Sequence, residues 1–289
     1  MYNLAEMSKD LPRLVTFDGE ARSGKGTVVQ AVKDYLRDAS GYKVMLIDAG
    51  QVFRVLVVAV ANAGVDINDP AAIDAFLSDE KNAEASVELV KSVYHMTKQE
   101  RNALLYTNEV GANSAKIGAR PLSQEFKDML LRKWLRDAKS EGFEVVLLDG
   151  RALEETGTML ASENLCDFAA HFYFVCHPTV GARRTLGFAN TPYEMLPPAD
   201  KKAVDELVVQ VNERNAADRR RAVQPIVPPK GAPVFHLPNI PNYVASDARP
   251  TAIIDTSHEM TIDEMTSHLS SQLRLRLITI LYSNTHRVE

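Results

Sequence analysis

Five short apolar runs recur along the 289-residue chain and predict five β-strands. Each run is almost continuously apolar rather than alternating, which is typical of strands buried on both faces of a parallel sheet. Segments with helical apolar spacing separate the runs. We therefore predict an α/β fold, with a parallel five-stranded sheet flanked by helices. The predicted strands are 14–17, 43–47, 144–148, 171–176 and 251–254.

Two segments are too long to be simple connections between strands. Residues 65–122 have a charged, mainly helical pattern, and residues 181–224 are rich in arginine. We expect both to form mobile subdomains that close over a ligand, the second as a lid. Residues 225–250 contain too many prolines for a regular helix or a central strand and are predicted to form an ordered loop or a surface arm. The predicted organisation is a core of 13–64, 123–180 and 251–280, with tails at 1–12 and 281–289.

Composition excludes several classes of protein. The formal net charge of −5 argues against a general nucleic-acid binder, and two cysteines cannot form a disulfide framework or a four-cysteine metal site. No apolar stretch is long enough to span a membrane, and the first ten residues lack the order of a signal peptide. The histidines show no metal-ligand spacing. We expect a soluble, cytoplasmic protein; a monomer is favoured over an oligomer, although the sequence does not determine this.

The most informative motif lies between the first predicted strand and the helix that follows it. It matches G-x-x-x-x-G-K, with Lys25 followed by Gly26 and Thr27. Glycines let the backbone amides of such a turn wrap a phosphate, and the lysine adds a charge that reaches the β- and γ-phosphates. We therefore predict a phosphate loop for a nucleoside triphosphate, formed by Gly19, Glu20, Ala21, Arg22, Ser23, Gly24, Lys25, Gly26 and Thr27.

Polar residues follow several predicted strands, where parallel sheets bind their ligands. Arg54 lies in an apolar helix just after Asp48, and Arg151 directly follows a strand. We interpret both arginines as ligands of an acceptor phosphate; a structural ion pair for Arg54 and simple surface exposure for Arg151 are the alternatives. Asp48 is assigned to the same acceptor site, where it is expected to position the turn and Arg54. Asp18 and Asp149 are each candidates for orienting Lys25 or a magnesium-bound water.

Together these motifs resemble the bacterial cytidylate kinases, which are nucleoside monophosphate kinases. Residues 16–27 are similar to the family's first strand and phosphate loop, and residues 48–54 resemble its D-[ST]-G-x-x-Y-R segment. The family's D-G-R, its T-x-E-V and its E-R-D-x-R-D-x-x-R-A-x-x-P segments are matched by 149–151, 107–110 and 212–225. The resemblance spans most of residues 13–270. It implies a P-loop kinase fold, ATP as the phosphoryl donor, and Mg²⁺ bound mainly through phosphates and water.

The resemblance also implies roles for the arginine-rich segment. Arg214 and Asp218 match the residues that hold the acceptor's sugar and phosphate, and Arg221 matches an arginine that contacts phosphates. Ion pairing along one helix face is the alternative for Arg214 and Asp218. Arg183 and Arg184 are assigned to the lid over the transferring phosphoryl group, or else to a solvated helix face. The predicted catalytic residues are Lys25, Arg151, Arg184 and Arg221.

The chain departs from the family where the base is recognised. Ala49 and Phe53 replace residues that carry hydroxyl groups, and an ungapped alignment puts Ala115, Gln124 and Ala152 at the three positions that recognise cytosine. When the alignment is shifted by one residue, Ser114 takes the place of Ala115 and supplies a hydroxyl group. A site that loses its polar partners loses discrimination between bases. The resemblance therefore supports phosphoryl transfer better than it supports cytosine.

These observations predict a kinase that phosphorylates CMP or dCMP, with small-molecule nucleotides as its partners. Three alternatives stay open. The acceptor can be another nucleotide or a small phosphorylated metabolite, or the chain can be a nucleotide-binding regulatory protein with little turnover. An ATPase or GTPase switch is the third, although the sequence has no evident N-K-x-D segment.

Overall fold

The computed structural model describes residues 11–39, 41–236, 251–258, 261, 263–264 and 267–268. Within them lies a six-stranded parallel sheet with the strand order β2-β3-β1-β4-β6-β5. The α/β fold and all five predicted strands are confirmed. The strands are β1 (Arg13–Gly19), β2 (Val44–Asp48), β3 (Val145–Asp149), β4 (Asp167–Val175), β5 (Val234–His236) and β6 (Thr251–Asp255).

The prediction of five strands was wrong by one, because β5 lies in the proline-rich segment. It has only three residues, and it pairs with β6 at the end of the strand order. An edge strand needs a hydrogen-bonded neighbour on one side only, so a short, half-exposed stretch after Pro233 suffices. Such a stretch is too brief to show a strand pattern in the sequence. The rest of the predicted loop or arm, 237–250, lies outside the described residues, as do 1–10 and 269–289.

Ten α-helices are found in the described part of the chain. They include the long connections that the helical patterns predicted. Their bounds are α1 (Lys25–Asp38), α2 (Ala49–Asn62), α3 (Pro70–Ser78), α4 (Glu80–His95), α5 (Lys98–Leu105), α6 (Asn108–Gly118), α7 (Pro121–Ser140), α8 (Leu153–Ser162), α9 (Pro178–Thr185) and α10 (Pro198–Arg219).

The chain divides into two compact units. Unit 1 comprises the described residues within 1–47, 135–220 and 225–289. Its core is built around β1, whose seven residues are all buried, as the continuous apolar pattern predicts for a central parallel strand. Phe17 packs on Phe172 and Phe174 of β4, with ring centroids 5.8 and 6.3 Å apart. Burying each such ring stabilises the fold by about 1.5–3 kcal/mol.

Unit 2 comprises residues 48–134 and 221–224, so its bounds differ from those of the predicted insertion, 65–122. Helix α2 belongs to it because apolar side chains occur almost all round this helix, and its buried valines and Leu56 pack into one cluster with α3, α4 and α6. The first part of α7 contributes Phe126 and Leu130 to the same cluster. The predicted segment limits were drawn from pattern changes, which do not show where a helix packs.

Candidate active site

The phosphate-loop motif forms a tight turn between β1 and α1. Gly19 ends the strand with φ +145°, and Gly24 precedes the helix with φ +81°. A Cβ at Gly19 would lie 2.4 Å from the carbonyl oxygen of Phe174, so no larger residue fits there. The turn delivers the chain to the N-terminus of a 14-residue helix, where backbone dipoles favour an anion.

The first three amides of the loop are held by protein acceptors. Gly19 N–H donates to Asp18 Oδ1 (2.7 Å), Glu20 N–H donates to the Phe174 carbonyl (2.9 Å), and Ala21 N–H donates to Asn215 Oδ1 (2.9 Å). These contacts shape the turn rather than bind a ligand. The amides that meet a phosphate are therefore expected to come from positions after Ala21.

The second half of the loop contains the remaining predicted residues. Arg22 is exposed and has φ +60°, in the left-handed region that favours glycine. Ser23 is buried, and its hydroxyl donates to the Glu20 carbonyl at 2.9 Å. Gly26 and Thr27 are exposed in the first turn of α1. A hydrogen bond within the loop thus closes the turn, and the exposed residues are Arg22 in the turn and the two residues in the first turn of the helix.

Lys25 forms an ion pair with Asp149 at the end of β3. Phe17 of β1 is in register with Asp149 of the neighbouring strand, which brings the carboxylate close to the loop. Asp18, the other candidate, is buried, and its two oxygens accept the amides of Gly19 (2.7 Å) and Leu153 (3.0 Å). Leu153 begins α8, so Asp18 also places its negative charge at a helix N-terminus. Asp149, rather than Asp18, is the carboxylate beside the lysine.

Two residues predicted to bind the acceptor contact each other in unit 1. Arg151 forms an ion pair with Asp218, which is buried near the end of α10. Arg214 is exposed one turn earlier on the same helix. Arg221 lies just beyond the helix and is half-buried. The ion pair fixes the position of the Arg151 guanidinium. The assignment of Arg151 to the acceptor phosphate stays a prediction.

The two arginines assigned to the lid are bound to backbone carbonyls. Arg184, on α9, donates to the carbonyl oxygens of Thr256 (2.7 Å) and His258, in the segment that follows β6. Arg183 is buried and donates to the carbonyls of Phe188 and Ala189, both at 3.3 Å. These contacts explain how the two side chains are held here. A catalytic role for Arg184 stays a prediction.

In unit 2, Asp48 and Arg54 lie at the start of α2. Asp48 caps the helix, because its Oδ1 accepts the Gln51 amide at 3.0 Å. Arg54 Nη1 donates to the Leu105 carbonyl at 2.9 Å, and a Cβ added at Gly111 would lie 3.6 Å from the same nitrogen. Asp48 thus fixes the start of α2, and its assignment to the acceptor site stays a prediction. Within the described residues, the guanidinium of Arg54 hydrogen-bonds to a neutral backbone carbonyl rather than to a carboxylate.

The three positions that align with the family's base-recognition residues have different environments. Ala115 is exposed on α6, whereas Gln124 is buried on α7 and donates through Nε2 to the Gly118 carbonyl. Ala152 precedes α8 with φ +54°, a backbone conformation unusual for alanine. The hydroxyl of Ser114 donates to the Gly111 carbonyl at 2.8 Å. None of these contacts by itself identifies a base.

Sequence reasoning missed three residues near these groups. Asn215 binds the Ala21 amide, Arg219 forms an ion pair with Glu20, and Tyr106 contacts Asp48. The pairing of Glu20 is informative, because a carboxylate in an anion-binding loop opposes the binding of phosphate unless a cation neutralises it. For Asn215 and Arg219, the available signal was that polar residues crowd one end of α10.

We expect Asn215→Ala to weaken ATP binding by about 3- to 10-fold, because the buried Ala21 amide loses its acceptor and the turn loosens. Asn212→Ala, which changes an exposed asparagine of the same helix, is the matched control. Calorimetric titration with ATP measures both variants. Unchanged affinity in Asn215→Ala, or equal loss in the two variants, would contradict the assigned function of this hydrogen bond.

The described residues contain no cluster of three or more histidine, cysteine, aspartate or glutamate residues arranged to hold a metal ion. They also contain no helix that combines the length and the apolar character needed to cross a bilayer.

Comparison with known proteins identifies the family. A family model described as cytidylate kinase matches residues 15–237. Proteins named cytidylate kinase from Shewanella pealeana and Bradyrhizobium sp. are each 26% identical, over 81% and 74% of this chain and 91% and 82% of their own lengths. One from Marinomonas sp. is 25% identical over 78% of this chain and 89% of its own. With a matching model over most of its length and a phosphate loop in place, the chain belongs to the cytidylate kinase family of nucleoside monophosphate kinases.

Proposed function

We propose that this protein transfers the γ-phosphoryl group of ATP to CMP or dCMP, giving CDP or dCDP. The observation that carries the proposal is the phosphate loop at the N-terminus of α1, with Lys25 paired to Asp149 beside it. Family membership supports nucleoside monophosphates as the acceptor class and ATP as the donor. The restriction to cytosine is the finer part of the proposal.

The chemistry requires charge neutralisation more than a base. The acceptor oxygen is already largely ionised near neutral pH, because the second pKa of a phosphate monoester is about 6. The main obstacle is repulsion between two phosphate groups, about 4 kcal/mol for each pair of unit charges 4 Å apart near a protein surface. Arginines that bind phosphates through two hydrogen bonds remove it. We assign this to Arg54, Arg151 and Arg221 on the acceptor phosphate, and we assign Arg214 and Asp218 to the ribose.

The ion pair between Arg151 and Asp218 supports the assignment of Arg151 to the acceptor phosphate. The carboxylate orients the guanidinium, and a phosphate would take up other N–H groups of the same arginine. Arg184 is assigned to the transferring group, for which it would have to exchange at least one of its backbone carbonyl partners.

Mg²⁺ fits the site as an ion held mainly by nucleotide phosphates and water. Of the two candidate carboxylates, Asp18 has both oxygens on backbone amides, whereas Asp149 contacts Lys25. A single carboxylate suits Mg²⁺, which keeps several of its waters. We assign to Asp149 the hydrogen bonding of a metal-bound water. The ion supplies charge neutralisation on the phosphates when it is bound.

A kinase with a different acceptor is the second candidate. Ala115 and Ala152 have no polar side-chain atoms, and Gln124 replaces a cation by an amide. A pocket without those donors and acceptors would distinguish bases poorly. A regulatory protein that binds ATP without turnover is the third candidate.

An ATP-consumption assay with CMP, dCMP, UMP, AMP and GMP separates these candidates. We expect turnover with CMP and dCMP, and at least about 10-fold lower kcat/KM with the others, which is the low end of the discrimination that a difference in the fit of a ligand provides. Equal rates with several bases would support the second candidate. ATP binding without turnover on any acceptor would contradict the kinase proposal and support a sensor.

A further inference from the structure

Tyr106 joins two residues of unit 2 that the proposed function uses. It follows α5 directly, and its hydroxyl donates to Asp48 Oδ2 at 3.0 Å. The Cζ atom of Arg54 lies 4.6 Å from the centroid of its ring. The tyrosine therefore contacts a carboxylate through its hydroxyl and a guanidinium through its π-face.

The same neighbourhood restricts Arg54 from a second direction. Its Nη1 donates to the carbonyl of Leu105, the residue before Tyr106, at 2.9 Å. Two consecutive residues thus hold one guanidinium, one through a hydrogen bond and one through ring stacking. Long arginine side chains lose substantial rotamer entropy when they are fixed, and a guanidinium that is fixed in advance binds a ligand with less of this cost.

The hydroxyl remains a donor at neutral pH. Burial raises the pKa of Tyr106 well above its ordinary value, and the nearby Asp48 carboxylate raises it further, whereas Arg54 and Arg101 act in the opposite direction. A protonated phenol donates to Asp48, whose other oxygen caps α2 through Gln51. Ring, carboxylate and guanidinium form one connected group.

We propose that Tyr106 is a positioning residue for the acceptor phosphate, holding Arg54 and Asp48 in the arrangement that a nucleoside monophosphate binds. The inference rests on the proposed function for its ligand, and it extends that function to a residue outside the sequence motifs. Tyr106 as a whole is 44% exposed, which is high for a residue whose side chain has two polar contacts. Such exposure next to a fixed cation is compatible with the approach of a ligand from solvent.

The test compares Tyr106→Phe and Tyr106→Leu with Tyr94→Leu as the matched control. Tyr94 belongs to the same unit and is 43% exposed, but its ring makes an edge contact with Trp134, at 5.7 Å between centroids. The probes are CMP and cytidine, titrated calorimetrically without ATP, together with KM for CMP and for ATP. The difference between CMP and cytidine reports the contacts of the phosphate group.

We expect Tyr106→Leu to weaken CMP binding by about 3- to 30-fold, the range of a lost cation–π contact, with cytidine binding and KM for ATP unchanged. Tyr106→Phe keeps the stacked ring, so its affinity for CMP should be close to that of the wild type. Tyr94→Leu should lower thermal stability without changing this pattern. Unaltered or tighter CMP binding in Tyr106→Leu would overturn the inference, as would equal loss for CMP and cytidine or no CMP binding by the wild type.

Binding and turnover separate the two proposals. A wild-type protein that binds CMP through its phosphate but does not phosphorylate it contradicts the proposed function, while the effect of Tyr106→Leu on binding still supports the positioning residue. Turnover of CMP that Tyr106→Leu leaves unchanged, in KM and in kcat, supports the kinase and overturns the inference about Tyr106.

Discussion

Lys25→Ala is expected to lower the rate of phosphoryl transfer by about 10³-fold while the protein remains folded. The lysine is the cation at the start of α1, and removing it takes a positive charge from the phosphates as negative charge redistributes in the transition state. Backbone amides cannot replace a mobile point charge of this kind. Initial rates with saturating ATP and CMP measure the loss.

The ion pair with Asp149 complicates a simple alanine substitution. Both side chains are mostly buried, so Lys25→Ala leaves a carboxylate without this partner and is expected to cost about 1–2 kcal/mol of stability. Thermal unfolding checks that the variant is folded at the assay temperature. The double variant Lys25→Ala with Asp149→Asn removes the unpaired charge and should regain stability but not activity.

Lys33→Ala is the matched control for this experiment. Lys33 lies on the same helix and is paired with the neighbouring Asp34 at 3.4 Å, outside the phosphate loop. We expect near-normal rates, because the interaction of such a pair is weak and does not involve the phosphates. Full activity in Lys25→Ala, or equal losses in the two lysine variants, would show that the loop does not bind the donor as proposed.

Gly19→Ala is expected to destabilise unit 1 by at least about 3 kcal/mol, from backbone strain together with overpacking. The residue has φ +145°, and an added Cβ would meet the carbonyl oxygen, nitrogen and Cβ of Phe174 at 2.4, 2.7 and 2.8 Å. The backbone has little room to yield, because Gly19 is in register with Phe174 between paired strands and the next amide, of Glu20, bonds to the same carbonyl.

Gly26→Ala is the control within the same motif. It lies in the first turn of α1, and a Cβ built there meets nothing within 4 Å. Alanine is the better helix former, so we expect unchanged or slightly higher stability. Urea unfolding followed by circular dichroism measures both variants. If Gly19→Ala unfolds at the same urea concentration as the wild type, the close approach to Phe174 does not determine the choice of glycine.

The five longer strands were predictable because each is a continuous apolar run buried in a parallel sheet, with turn residues or polar residues after it. Val234–His236 could not be predicted, because three residues carry no period and their strand character depends on pairing with β6. The membership of α2 in unit 2 could not be predicted from the sequence either. Its apolar residues showed that it would be buried but not which helices would cover it.

The candidate site was predictable where its chemistry lies within one short motif. The glycines and the lysine of the phosphate loop belong to this class. Asp149 and Asp18 were indistinguishable in the sequence, since each ends a strand. The structure separates them: Asp18 binds two backbone amides, and Asp149 binds Lys25. Similarly, the charges of Arg151 and Asp218 were evident, but their pairing was not.

By itself, the sequence determined the α/β class, the phosphate loop and the family, because these depend on residues that are neighbours along the chain. Only the tertiary structure decided which side chains meet. Ala21 and Asn215 are 194 positions apart, Lys25 and Asp149 are 124 apart, and Asp48 and Tyr106 are 58 apart. Each contact forms where helices or strands return the chain to the same place, and the partner is selected by packing and by the need to satisfy buried charges and amides.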